Sequence, residues 1–381
     1  MKRITKYITY IFFLIISIIN TQAQEVIDIQ FNGQLTDNSI YAFENDIQLG
    51  GVRYMPELRL KKIFKNTKSL DLEISANIHG SVEHNYNTKQ TTWDGEIRPY
   101  RAYIRYTTEK CEFRVGCQKI NFGSAQLLRP LMWFDQVDPK DPLKLTDGLW
   151  AALFRYYFPN NSNLWIWGLG GNKDLKGWEV HKTALKFQPE IGGRFQQPVP
   201  LGEVALSYNY RKIKNINEYP TPTSPEHRIG MDLRLDYVVG MWAEANWTHQ
   251  SKTIPNFKNQ TAITLGFDYT FPWKNGLNII IEQLYNSFGN NIFNKQTKSN
   301  YTALRLNYPL NLFNTITTIA YYNWEKSKIT VFTSWEKRFN NITLHLSGQW
   351  SPGSSVIPGQ VIDSKNNING SQLQCIFVWY H

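Results

Sequence analysis

Cysteine is scarce, with 3 among 381 residues, too few for a disulfide-stapled scaffold. Histidine is nearly as rare, with 7, and no CxxC or HExxH motif sets out metal ligands. No Walker A loop, complete GxGxxG or GxSxG elbow occurs, so common nucleotide-binding and hydrolase chemistries have no local signature. The expectation is a protein that is not an enzyme, with no catalytic residue, no cofactor and no metal. Charged residues make up 19%, and mean hydropathy is −0.42. That value excludes a bundle of apolar helices, while 42% apolar residues, 14% of the total aromatic, argue against disorder. After residue 23, no run approaches the roughly 18 apolar residues of a membrane-spanning helix.

The one long apolar run comes first. Lys2, Arg3 and Lys6 precede an apolar stretch at 7–19, and Thr21 and Ala23 follow as small residues at a cleavage site. This is the layout of a secretory signal peptide. The expected organisation is a signal peptide at 1–23 and one body at 24–381, with no plug domain before its first strand. An exported chain of this kind is periplasmic, secreted or an outer-membrane barrel.

The body alternates with period two. In 69–83, Leu70, Leu72, Ile74, Ala76, Ile78, Gly80 and Val82 share one parity, and the other parity is entirely polar. Such a strand has one apolar and one polar face, and it outruns the usual soluble strand of about 5–6 residues. The same pattern recurs at 228–238, 261–271, 300–308 and 341–350. About eighteen such segments fit between residues 26 and 380, including 163–170, 182–195 and 202–211, at roughly 20 residues per strand and connection. Short connectors (107–110, 159–163, 238–240, 272–276, 338–341) alternate with long ones (36–50, 84–97, 120–147, 212–227, 288–299, 351–371). The stretch at 325–327 is short on the long side. The expected fold is an all-β transmembrane antiparallel up-and-down barrel of 16–18 strands, in the outer membrane of a Gram-negative bacterium. A soluble sandwich, propeller or jelly roll would use shorter strands.

Trp150 and Phe158 share the outer parity and bracket Ala152 and Phe154, as a pair of aromatic girdles would. Cys111, Cys117 and Cys375 fall at outward parity, where they read as small apolar residues. The final strand carries Cys375, Phe377 and Trp379 on one face and ends on His381, where barrels usually end on an aromatic.

Inward parity gathers charge. Arg53, Arg59, Arg101, Arg105, Arg114, Arg155, Arg228, Arg234 and Arg305 lie there with Glu73, Glu112, Asp232, Asp236, Glu244 and Asp268. Arginines around an aqueous lumen favour anions. Arginine–carboxylate pairs can equally brace the wall, and the two readings are compatible. The stretch 120–147 is too apolar for a waving loop and is expected to fold inside as a constriction loop, with Arg129, Trp133, Asp135 and Asp138 at the passage. Asp135, Asp138 and Asp141 recur every third residue, a spacing compatible with Ca²⁺ but better explained as Asp-Pro turns. Trp93, Trp178 and Tyr219 fall in expected outer loops, where they could stack sugars.

The run VGCQKINFGSAQLLRPLMWFD, residues 115–135, resembles porin and alginate-export-like barrels through Gly116, Gln118 and Gly123. Cys117 stands where arginine is commoner. The resemblance covers about a tenth of the chain. It implies passive passage of small solutes or acidic saccharides through a monomeric or trimeric barrel. The expected function is a porin-like channel for small or anionic solutes. The alternative is a non-conducting barrel that binds or helps assemble surface polysaccharide. Expected partners are outer-membrane lipid, a small solute or saccharide, and the outer-membrane assembly machinery. The scattered positive charge gives no nucleic-acid footprint.

Overall fold

The computed structural model describes residues 27–64, 67–172, 174–179, 181–183, 188–214, 223–254, 257–291, 295–351 and 370–381. The expected signal peptide and Tyr219 lie outside the described residues. The regular structure within them is all strand: β1 (Ile27–Ala42), β2 (Ile47–Ile63), β3 (Ser69–Asn85), β4 (Gln90–Thr107), β5 (Cys111–Gln118), β6 (Leu149–Tyr157) and β7 (Asn163–Leu169). Next come β8 (Lys182–Thr183), β9 (Glu190–Val199), β10 (Gly202–Lys214), β11 (Thr223–Asp236), β12 (Gly240–Ile254) and β13 (Phe257–Phe271). The last are β14 (Leu277–Gly289), β15 (Lys295–Asn311), β16 (Asn314–Asn323), β17 (Lys328–Arg338), β18 (Ile342–Trp350) and β19 (Gln372–Tyr380).

All pairings are antiparallel between neighbours. β1 also pairs with β19, from Gln34 opposite Tyr380 to Ala42 opposite Gln372, and so closes the sheet. The two-residue β8 prolongs the line of β9 along β10, which makes a closed wall of eighteen strands. Closure satisfies the backbone without leaving an edge, as a sheet in hydrocarbon requires.

Exposure is inverted relative to a soluble protein. Ile166, Leu206, Ile229 and Leu265 stand exposed on the outer face, while Arg211, Glu226, Glu244 and Glu282 are buried inside. Only a lipid phase makes the outer face stable. Trp150 and Phe158 are both exposed on that face, as their parity requires. The end joined by the longest connection, between β5 and β6, is external by the rule for bacterial barrels.

Several expectations need correction. The stretches 36–50 and 84–97 are not long loops. β1 and β2 meet across residues 43–46, and β3 and β4 across 86–89. Their charged outer ends keep the strand period and pair in full register, so the wall rises further on this side. The segment 182–195 is not one continuous strand: the main strand starts at Glu190 and runs on to Val199. The short turn at 325–327 is real, closing β16 and β17. Cys117 does not face lipid: it is buried, whereas Cys375 is exposed. Gly116 next to it takes φ +127°, and the facing strand bulges between the partners of Ser75 and Ala76. Each irregularity breaks the two-residue period on which parity rests.

Candidate functional site

The connection between β5 and β6 folds into the lumen, and two apolar clusters hold it there. Ile120, Phe122, Leu131, Trp133 and Phe134 pack with Leu149, Ala151, Leu153, Trp167 and Leu169 on β6 and β7. Ala125, Leu127 and Leu128 pack on an inward apolar patch that includes Trp242, Ile280, Leu284, Ile319 and Phe332. Each buried leucine or aromatic ring stabilises the docking by about 1.5–3 kcal/mol. Polar bonds fix the register. Trp133 Nε1 donates to Asn246 Oδ1 at 3.1 Å, Thr264 Oγ1 donates to the Leu128 carbonyl at 2.7 Å, and Arg129 pairs with Asp135 at 2.7 Å. The loop thus fills the side of the lumen bounded by β5–β7 and β12–β17.

Gly123 lets the chain turn into this position. Its φ is +98°, a region that suits glycine, and a Cβ there would meet the Glu244 carboxylate. Gly123→Ala is therefore expected to loosen the loop and raise its proteolytic cleavage in the folded barrel. Cleavage at the rate of the parent chain would show that the turn tolerates a side chain.

A second insertion was not foreseen. The connection after β7 also turns inward, and Trp178 Nε1 donates to the Arg129 carbonyl at 2.6 Å. Trp178 is therefore a prop beneath the constriction loop rather than an outer platform. Its neighbours Lys176 and Glu179 join a buried ionic cluster. Glu179 pairs with Arg211 at 2.8 Å and Arg228 at 3.2 Å, and Glu226 pairs with the same two at 2.6 and 2.8 Å. Lys176 bridges Glu179 and Glu190 at 3.3 and 3.0 Å. Trp93, by contrast, is 80% exposed, near the external end of β4.

The inward arginines divide into two groups. Arg228 and Asp232 are buried, Asp232 bonding Arg194 at 3.0 Å, so both brace the wall instead of meeting water. Arg101 is buried as well and donates to the Thr146 carbonyl at 3.0 Å, tying down the returning limb of the loop. Arg114 pairs with Glu112 at 2.8 Å, and Arg155 lies over Trp165 at 3.7 Å from the ring centroid. Arg305 is half-buried and donates to Asn278 Oδ1 at 3.4 Å. Arg105 and Arg234 keep partly open faces, the latter beside Asp236 at 3.0 Å. Asp138 and Asp141 accept from loop amides, Lys140 for the first, Leu143 and Leu145 for the second, which is turn chemistry rather than a cation cage.

Away from the two apolar clusters the lumen holds two cavities, the external one lined in part by loop residues 138–143. The external one, of about 290 Å³, lies among Asn38, Arg53, His79, Lys140, Asp141 and Gln374. The periplasmic one, of about 420 Å³, lies among Asp28, Arg59, Lys61, Asp71, Glu73 and Arg105. The external one runs along β1–β3 and β17–β19, the periplasmic one along β1–β4. Arg53, which sequence parity placed inside, has no ion pair among the described residues, and its Nε is buried without a partner. In the periplasmic cavity the arginine is the wetter member of each pair. The side chain of Arg59 is 52% exposed against 14% for Glu73, and that of Arg105 34% against 12% for Asp71.

No protein-family model and no curated protein sequence matches the chain. Solved structures do. OccK5 (OpdH) of Pseudomonas aeruginosa superposes with a TM-score of 0.57 at 10% identity, covering 93% of this chain and 98% of that one. OccAB4 of Acinetobacter baumannii gives 0.57 at 10%, covering 94% and 99%. OccD3 (OpdP) of Pseudomonas aeruginosa gives 0.55 at 9%, covering 92% and 91%. The fold is that of an outer-membrane porin. At such identities the likeness is one of fold. It supports the porin half of the resemblance, while the alginate-export half rests on residues 115–135 alone.

Proposed function

We propose that this barrel is a passive channel, not an enzyme, that admits small solutes with a preference for anions along its β1–β4 side. The observation that carries the reading is the pair of charged cavities there, with residues 120–134 of the inserted loop held against the opposite wall and residues 138–143 lining the external cavity. In the periplasmic cavity Glu73 and Asp71 are tucked behind Arg59 and Arg105, so the surface a solute meets there is the more positive one. Lipid covers the outer face, the solute passes inside, and the barrel stands alone or as a trimer. Assembly machinery is expected to place it in the membrane.

Liposome swelling tests the reading. Vesicles carrying the folded mature chain should swell in a pentose and faster in a monocarboxylate of similar size. Swelling no faster than that of empty vesicles would overturn the channel and favour the polysaccharide-binding alternative, with exposed Trp93 as its first candidate contact.

Acid should sharpen the preference. Burial pushes the Asp141 carboxyl above the ordinary carboxylate range, against the opposing pull of the Leu143 and Leu145 amides. A raised pKa means that its negative charge is lost under milder acid than an ordinary aspartate needs. The anion-to-cation permeability ratio should therefore rise on mild acidification. Asp141→Asn should flatten that rise; an unchanged pH profile in the variant would assign it to other groups.

A further inference from the structure

Two buried carboxylates remain outside the passage. Glu282 on β14 accepts hydrogen bonds from the amides of Gln126 (2.6 Å), Leu127 (3.0 Å) and Leu128 (2.6 Å), and from Trp242 Nε1 (3.1 Å). Glu244 on β12 accepts from the amides of Ala125 (2.6 Å) and Leu131 (3.2 Å). Both side chains are buried, and neither has an ion pair among the described residues. Three consecutive amides converging on one carboxylate form a nest, a concave arrangement of N–H dipoles that selects an anion. Apolar contact alone would hold Leu127 and Leu128 on the wall without desolvating a carboxylate. The charged acceptors add direction and strength in the first half of the loop.

We infer that Glu244 and Glu282 are positioning residues for the passage: their carboxyl oxygens latch residues 125–131 to the far wall and keep that segment out of the β1–β4 side. This rests on the channel reading for its consequence, but the latch itself can be read independently. Both oxygens of Glu282 are used, Oε1 by Gln126 and Trp242 and Oε2 by Leu127 and Leu128. A glutamine would turn an NH₂ group toward amide donors, so Glu→Gln opposes the latch while leaving side-chain volume nearly unchanged.

The experiment uses the full mature barrel with Cys111, Cys117 and Cys375 replaced by alanine, and with Leu128→Cys as a reporter. Folding is checked by heat-modifiable gel migration. In the parent, a water-soluble thiol reagent should reach position 128 slowly. In Glu244→Gln with Glu282→Gln, labelling should be at least tenfold faster, and bilayer recordings should show frequent brief closures as the freed segment enters the passage. If the double variant does not fold, each single variant is measured, with a threefold or greater gain in labelling expected. Unchanged labelling overturns the latch whatever the conductance. Faster labelling with steady openings, unaltered or enlarged, overturns its role in keeping the passage clear. Faster labelling in a barrel that never conducts upholds the latch and rejects the channel reading.

Discussion

Replacing Arg211 by methionine is expected to destabilise the barrel more than loss of any other charged side chain lining its interior. Arg211 is completely buried, and it pairs with both Glu179 and Glu226. Without it, three buried carboxylates, Glu179, Glu190 and Glu226, share Arg228 and Lys176. Removing one partner of a buried pair typically costs about 3–5 kcal/mol, because the remaining charge stays desolvated. The loss should also free the second inserted connection, since Glu179 belongs to it. Arg234→Met provides the comparison. Arg234 and Asp236 both keep contact with water, and an exposed pair is worth only about 0–1 kcal/mol. Heat-modifiable gel migration against temperature measures the difference. A large drop for Arg211→Met beside almost none for Arg234→Met is the expected pattern, and equal drops would contradict the burial argument.

The second large effect concerns selectivity. Changing Arg53, Arg59 and Arg105 together to glutamine should turn the anion preference into a cation preference. The three line the two cavities, and their acidic neighbours Asp71, Glu73 and Asp141 would then dominate the local field. The reversal potential in a salt gradient should change sign. Arg228→Gln should leave that sign alone, because its guanidinium is buried in the ionic cluster. A reversal by Arg228→Gln, or none by the triple change, would place the passage elsewhere in the lumen. Arg101 is a poor choice for such a test, since its loss would release the loop carbonyl of Thr146 together with the charge.

The wall was legible because a barrel strand writes its two environments into alternate residues. The run from Ser69 to Glu83 needed nothing more, and its inward set of Asp71, Ser75 and Asn77 is buried as parity requires. Parity gives the side of the sheet but not what fills the space behind it. Arg228 and Arg105 look alike in sequence, and only folded loop segments make one a brace and leave the other wet. Glu179 could not be placed from sequence for the same reason: its partners Arg211 and Arg228 are over 30 residues away on β10 and β11. Glu282 was missed because Ile279, Ile280 and Ile281 run together and blur the alternation. That blur was itself a signal. Ile280, Leu284, Ala262, Ala303 and Ile319 are apolar at inward positions on neighbouring strands. An inward apolar patch in a water-filled barrel needs a partner, and the apolar loop 120–147 was the segment available to cover it.

The most direct test is single-channel recording of the folded mature chain in planar bilayers, with the reversal potential taken in a salt gradient. The channel account requires discrete ohmic openings whose reversal potential favours anions. A correctly folded barrel that inserts and never conducts would contradict it.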